Sequence, residues 1–355
     1  MISLNTNLCR LLQIEFPIIQ AGMAGGPTTP QLVAQVSEAG GLGTLGAAYL
    51  TPEKLRTEIL NIREQTDKPV AVNLFADNPP DDFSRLTEVQ QALRAAYEEL
   101  GIDQPSSSFQ SPDYGKELFS ICLELDVPII STAFGCLSPG QMKAAKEQGV
   151  LVITMATTVA EAIEAQNAGV DAVVAQGSEA GGHRGSFSYE QHPMGAQIGL
   201  MALVPQMVDA VTVPVIAAGG IVDGRGLVAS LALGAQAVQV GTRFVGAEES
   251  GAHAAYKQAI FDSNEESTVV TKSFSGRPAR GIQNRFIEYF ESAGTNALPF
   301  PSHNTVTKEI RGAAAKTGNP EFMSLWAGQA TRKLIREETA ADIVDSIMKQ
   351  AQALV

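Results

Sequence analysis

The stretch Pro214-Val-Ile-Ala-Ala-Gly-Gly-Ile-Val-Asp-Gly-Arg225, with its continuation to Ala235-Gln-Ala-Val-Gln-Val-Gly-Thr-Arg243, decides the fold. Residues 214–217 and 235–240 are short apolar runs of strand character, and residues 224–232 between them have the apolar spacing of a helix. Glycines follow both runs, as Gly219-Gly220 and as Gly241. Continuous apolar strands joined by a helix belong to a parallel sheet covered on both faces. The same alternation runs back through the chain. Strands are expected at 17–20, 42–45, 69–75, 128–131, 150–154 and 172–175, with helices at 30–39, 52–64, 140–148 and 159–168. Eight such units predict a TIM-type (β/α)8 barrel, with a doubly wound open sheet as the alternative.

Two segments fall outside the repeat. Residues 76–115 form an insertion after the third strand. It carries Pro79-Pro80, a helical stretch near 88–100 and Ser106-Ser-Ser108, and it reads equally as a lid or as a solvated excursion. Residues 246–319 read as a smaller, mainly helical second domain on the substrate side. Residues 1–245 and 320–355 then make the barrel, closed by helices over 321–333 and 339–353.

Composition narrows the function. Among 355 residues, 45% are apolar and 33 are glycine, which suits a large core with many tight strand-to-helix connections. The formal net charge of -13 argues against nucleic acid and anionic membrane as partners. Three scattered cysteines, Cys9, Cys122 and Cys136, form neither a disulfide framework nor a metal motif. The first residues lack a signal-peptide pattern, and no run is apolar enough to span a bilayer, so a cytoplasmic protein is expected.

The ends of barrel strands carry the chemistry. Read in order they give Gln20-Ala-Gly-Met-Ala-Gly-Gly26, Gly46, Asn73, Phe134-Gly135, Thr154-Met155, Gln176, Ala218-Gly-Gly220 and Gly241-Thr242. Carboxylates are scarce, which argues against a glycosidase. No His/Asp/Glu cluster points to a metal site. Amides and bare backbone suit a large, planar, polar ligand. Glycines after the seventh and eighth strands suit a phosphate, although they also serve as tight turns. The loop Gln176-Gly-Ser-Glu-Ala-Gly-Gly-His-Arg-Gly185 adds one of only four histidines. His183 there is a proton donor or acceptor at an active site, or an exposed imidazole on a flexible loop.

These stretches, with Gly40-Gly-Leu-Gly43, Asn73-Leu-Phe75, Gly241-Thr-Arg-Phe244, Gly276-Arg-Pro-Ala-Arg-Gly-Ile282 and Ala327-Gly-Gln329, resemble the nitronate monooxygenases, once called 2-nitropropane dioxygenases. The resemblance covers nearly the whole chain. It implies a barrel that binds FMN non-covalently and oxidises alkyl nitronates, such as propionate 3-nitronate, with O2 to a carbonyl compound and nitrite. It implies that Gly219, Gly220, Gly241 and Thr242 hold the phosphate. It further implies that Met23, Ala24, Asn73, Gln176 and Gly181 line the isoalloxazine, and that His183 faces a nitronate or nitroalkane. Phe300, Gly328 and Gln329 would lie on the substrate side. No metal is implied, and monomer or homodimer is left open.

Leu298-Pro-Phe-Pro-Ser-His-Asn304 departs from the family pattern, which has a tyrosine near Phe300 and a glutamine near His303. His303 is thus a second histidine candidate or a solvated loop residue, while His192 and His253 read as structural or exposed. Cys136 reads as a buried thiol and Trp326 as a packing residue. Two other functions remain: an FMN enoyl-thioester reductase using NAD(P)H, and a non-catalytic nucleotide-binding barrel.

Overall fold

The structure is a computed structural model that describes residues 2–76, 79–104 and 109–355. Eight parallel strands form one sheet: β1 (Ile18–Gln20), β2 (Gly43–Gly46), β3 (Val70–Phe75), β4 (Ile129–Ala133), β5 (Leu151–Ala156), β6 (Ala172–Gln176), β8 (Val215–Ala218) and β9 (Ala237–Val240). The short β7 (Gly182–His183) lies outside it. The strand order is β1-β9-β8-β6-β5-β4-β3-β2. A parallel bridge between Ile19 and Leu42 closes the two ends, with Gln20 N–H donating to Leu42 O and Leu42 N–H to Ile18 O, both at 2.9 Å. The (β/α)8 barrel expected from the alternation is the fold.

Local chemistry explains the helix starts. Thr29, Thr51, Ser138, Thr158, Asp223 and Thr339 each cap a helix with a side-chain oxygen. Pro30, Pro52 and Pro139 occupy the first turn, where no intrahelical donor is needed. The lower interior is filled by Ile19, Leu42, Ile129, Ile153, Val174 and Ile216. A helix not anticipated from sequence, Asn7–Leu12, plugs that end with Leu8 and Leu12. Thr6 Oγ1 ties it to Gln236 O at 2.7 Å.

A second apolar cluster gathers the helices Ala254–Phe261, Arg285–Ser292 and Lys308–Thr317. The region is mainly helical but also holds a three-stranded antiparallel sheet, β10 (Thr268–Thr271), β11 (Ala279–Ile282) and β7. The insertion helix Leu86–Leu100 buries Val89, Leu93, Ala96 and Tyr97 in this cluster, so that part is not a solvated excursion. Ser106–Ser108 lies outside the described residues. The expected helix over 321–333 is absent. Two 3-10 turns, Pro320–Phe322 and Thr331–Lys333, bracket extended chain, and Phe322, Met323, Leu325 and Ala327 join the second cluster instead of the barrel. The helix Ala340–Gln352 packs on the barrel helices Gly224–Ala232 and Pro30–Glu38, as expected.

Candidate active site

At the strand ends, β8 runs into Gly219 (φ 131°) and Gly220 (φ 65°), conformations that favour glycine. An added Cβ on Gly219 would meet Ala180 N at 3.1 Å, and one on Gly220 would meet Glu179 Cβ at 3.3 Å. This turn therefore lies against the loop that carries His183. A Cβ added to Gly241 would touch only Ala21 Cβ at 3.7 Å and Met23 Sδ at 3.9 Å. That side of the β9 turn is open, and Met23 borders it. The amides of Thr242 and Arg243 begin a helical turn, where backbone N–H groups have no intrahelical acceptor. The helix Gly224–Ala232 cannot serve an anion in the same way, because the Asp223 carboxylate already accepts its Arg225 and Gly226 amides.

Thr242 Oγ1 accepts from Gly328 N at 3.0 Å, and Gln329 N donates to Glu179 O at 3.0 Å. A Cβ on Gly181 would fall 2.5 Å from Ala327 C and Gly328 N. Gly181, Gly328 and Gln329 thus knit the His183 loop to the β9 turn. Gly328 and Gln329, expected on the substrate side, make backbone contacts beside the candidate phosphate turns. Ala24 lies against Gly46 at the end of β2. Asn73 donates Nδ2 to Ser131 Oγ at 2.9 Å across β3 and β4. Gln176 is buried at the end of β6. Its Nε2 donates to His183 O at 2.9 Å, and its Oε1 accepts from Gly185 N at 2.8 Å. Both ends of that amide fix the loop.

His183 is half-buried, with Nε2 2.8 Å from Ser275 Oγ. Phe134, Phe300 and Trp326 surround its ring at centroid distances of 5.8, 6.3 and 5.5 Å. Phe75 joins this wall, 4.5 Å from Phe134 and 5.8 Å from Phe300, and Tyr49 extends it at 5.4 Å from Phe75. Phe134 has φ 72°, an uncommon backbone for a bulky residue at the very end of its strand. Desolvation, reinforced by the Arg277 and Arg311 charges, pushes the His183 pKa down to about 3, so the imidazole is neutral.

Phe300 is the substrate-side expectation that the structure brings to His183. Tyr49, Phe75, Phe134, Ser275, Arg277 and Arg311 had no role assigned from sequence. Only the glycine beside Phe134 and the glycine beside Ser275 and Arg277 could have hinted at them. Arg184 is fully buried and donates to Gly177 O at 2.8 Å and Gln176 O at 2.9 Å, which makes it a brace of the loop.

His303 is also fully buried. Its Nε2 is 2.8 Å from Ser273 O and its Nδ1 accepts from Leu298 N at 3.3 Å. It is neither a site histidine nor a solvated loop residue. His192 is exposed, and His253 caps a helix through Nδ1. Burial raises the Cys136 thiol to about 11, in keeping with an inert packing role. No metal-ligand cluster occurs among the described residues, and no helix among them is long and apolar enough to cross a membrane.

A closed parallel barrel with glycine turns after its last two strands and a histidine under an aromatic wall defines the chain as a (β/α)8-barrel enzyme. A profile described as nitronate monooxygenase matches residues 5–350. A relative from Staphylococcus saprophyticus, described as a probable nitronate monooxygenase, is 43% identical over 356 residues, with 99% of each chain covered. A structure of nitroalkane oxidase from Streptomyces ansochromogenes superposes with a TM-score of 0.90 at 36% identity, covering 98% of this chain and 99% of that one. FabK from Thermotoga maritima gives 0.77 at 31% identity, with 99% and 97% covered. The chain belongs to the nitronate monooxygenase family.

Proposed function

We propose that this protein oxidises alkyl nitronates, such as propionate 3-nitronate, with FMN as cofactor and O2 as oxidant, giving a carbonyl compound and nitrite. The observation that carries the reading is His183, held neutral by burial and by the charges of Arg277 and Arg311, under an aromatic wall and on a loop packed against the Gly219-Gly220 turn. A bound FMN would supply the redox chemistry between the substrate and O2. Gly219, Gly220, Gly241 and Thr242 would hold its phosphate through backbone amides, since the open side of Gly241 has room that a side chain would fill. Met23, Ala24, Asn73, Gln176 and Gly181 would border the ring system.

The chain's own groups favour an anionic substrate. Arg277 and Arg311 make the surroundings of His183 electropositive, which stabilises a nitronate charge. A neutral imidazole neither repels nor neutralises that anion. It can orient the nitronate, with Ser275 Oγ fixing the ring. As a base toward a neutral nitroalkane it is available but weak. Phe75, Phe134 and Phe300 keep water from the reacting carbon.

The test is anaerobic stopped-flow spectroscopy of the purified, FMN-loaded protein. Propionate 3-nitronate should bleach the flavin within the mixing experiment, while NADH and NADPH should not. Rapid bleaching by NADPH alone would replace this reading with the enoyl-thioester reductase. A protein that cannot be loaded with FMN would leave only a non-catalytic barrel.

A further inference from the structure

Arg243 follows Gly241 and Thr242 directly, where a guanidinium would ordinarily be read as a phosphate ligand. The structure commits it elsewhere. The side chain is buried, and its Nη1 donates to Val222 O at 2.7 Å. Nε donates to Glu338 Oε2 at 3.2 Å and Nη2 to Glu338 Oε1 at 3.0 Å, a two-pronged pairing that fixes both groups. Nη2 also reaches Ser346 Oγ at 3.3 Å, on the helix Ala340–Gln352. Val222 lies two residues beyond Gly220, so one guanidinium ties the turn after β8 to the turn after β9.

Glu338 ends a strap, residues 328–338, that touches the same region along its length. Gly328 N donates to Thr242 Oγ1 and Gln329 N to Glu179 O, both at 3.0 Å. Lys333 Nζ lies 3.6 Å from Asp223 Oδ2, at the cap of the helix that follows the β8 turn. Glu338 forms a parallel bridge with Ala247, and its O accepts from Glu248 N at 3.0 Å. Its carboxylate is thus anchored by backbone before it meets the arginine. Gly219, Gly220 and Gly241 have no side chains with which to fix their own positions. Arg243 with Glu338 is the pair that spans their turns.

We propose that Arg243 is a positioning residue that sets the spacing of the two glycine turns around the FMN phosphate without touching that phosphate, and that Glu338 holds it in this role. The proposal rests on the FMN reading above. Backbone amides bind an anion well only when several converge on one point, so a small change in the separation of the turns loses contacts. Arginine suits the task because its planar fork holds a carboxylate on one edge and a carbonyl on another at once, which an ammonium group cannot do. Removing Glu338 would leave the guanidinium charge buried without its partner and free to leave Val222.

The experiment measures Kd for FMN and for riboflavin, which lacks the phosphate, by quenching of flavin fluorescence on the full-length chain stripped of flavin. Wild type should prefer FMN. Arg243→Met should weaken FMN on the order of tenfold or more, the worth of one hydrogen bond to a charged group, and change riboflavin much less. Arg243→Lys should recover part of the loss. Glu338→Ala separates positioning from direct contact by sign: a brace that has lost its anchor binds FMN more weakly, whereas an arginine released to reach the phosphate binds it more tightly. Should a truncation fail to fold, Glu338→Gln keeps the shape without the charge and is judged by the same FMN-to-riboflavin ratio. The brace is overturned if wild type does not prefer FMN, or if Glu338→Ala binds FMN as tightly as wild type or more so. Equal losses of FMN and riboflavin in folded Arg243→Met would also overturn it, by making the pair a general support of the barrel. If wild type binds neither flavin, the FMN reading fails and inorganic phosphate judges the brace. Protection of wild type against thermal unfolding that Arg243→Met lacks would then support it, and equal protection, or none in either, would overturn it.

Discussion

The charge state of His183 makes a sharp prediction about pH. An imidazole with the ordinary pKa of 6.5 is only about 3% neutral at pH 5, so a rate that needs the neutral form would drop roughly 30-fold between pH 8 and pH 5. In this protein desolvation and the two arginines hold the pKa near 3. At pH 5 the ring is then still about 99% neutral, and its contribution to kcat/KM should be level from pH 9 to pH 5. The sign follows from the direction of the shift: a depressed histidine pKa moves the acidic limb downward, out of the assay range. Nitronates titrate themselves, so the quantity to measure is the ratio of kcat/KM for wild type to that for His183→Asn at each pH, with oxygen consumption as the assay. With a nitronate the substitution should cost less than about tenfold, because no carbon-bound proton has to be removed first. With the parent nitroalkane it should cost on the order of 10²-fold, the lower end of general-base catalysis, from an already low rate. A ratio that falls through a midpoint between pH 6 and 7 would refute the neutral, desolvated imidazole. Equal losses on both substrates would make His183 a binding group alone.

Three further outcomes follow from the same geometry. Gly220→Val should lose FMN affinity with little change in the folded barrel, since φ 65° and the contact with Glu179 both resist a branched side chain at the phosphate turn; full FMN retention by equilibrium dialysis would remove that turn from the cofactor site. Gln176→Leu should lower stability by about 2 kcal/mol or more in urea unfolding, because it strands His183 O and Gly185 N, and an unchanged midpoint would show that the loop is held without this amide. His303 is locked neutral with its pKa pushed down to about 4, below its unfolded value. It contributes stability in full above about pH 6.5 and loses it as pH falls toward 4. His303→Gln should therefore be less acid-sensitive than wild type, with on the order of 2 kcal/mol of the loss between pH 7.5 and 4.5 removed.

The barrel was legible because its strands are short, largely buried apolar runs, and those at β1, β2, β4, β5 and β8 are followed by side-chain-capped helices. The small sheet was not. β11 reads Ala279-Arg-Gly-Ile282, and its arginine is spent inside the protein, with Nε donating to Ser178 O at 2.9 Å. No apolar alternation marks such a strand. The segment after Pro320 misled for the opposite reason. Phe322, Leu325 and Trp326 are spaced like a helix face, but extended chain places them in the second cluster, and a bridge to Gly281 takes the place of helical bonding. In the site, the glycines and His183 stood out by composition. The wall did not, because Tyr49, Phe75, Phe134 and Phe300 come from distant segments and only tertiary packing makes them neighbours.

The loop around His183 also shows why a glycine-rich stretch need not be mobile. Gly181 leaves room for the backbone of Ala327 and Gly328, Gly185 for the side chain of Met155, and Gly182 turns at φ 75°. Gly181 and Gly185 each allow a close approach by protein, in addition to any ligand, while Gly182 serves the turn. The chain then enters β7, where His183 pairs with Ala279 and Gly182 with Arg280 on β11. Gln176 bonds both sides of Arg184, whose guanidinium returns to the carbonyls of Gln176 and Gly177. The imidazole is thus fixed from the barrel and from the smaller sheet together. That rigidity is what lets it stay neutral next to two cations. A mobile loop would swing the ring into water, where its pKa would return toward 6.5 and the protonated ring would pair with the nitronate as a counter-ion. On the proposed reading, immobilising the loop would keep the attraction for the anion on the arginines and leave the histidine free to orient it.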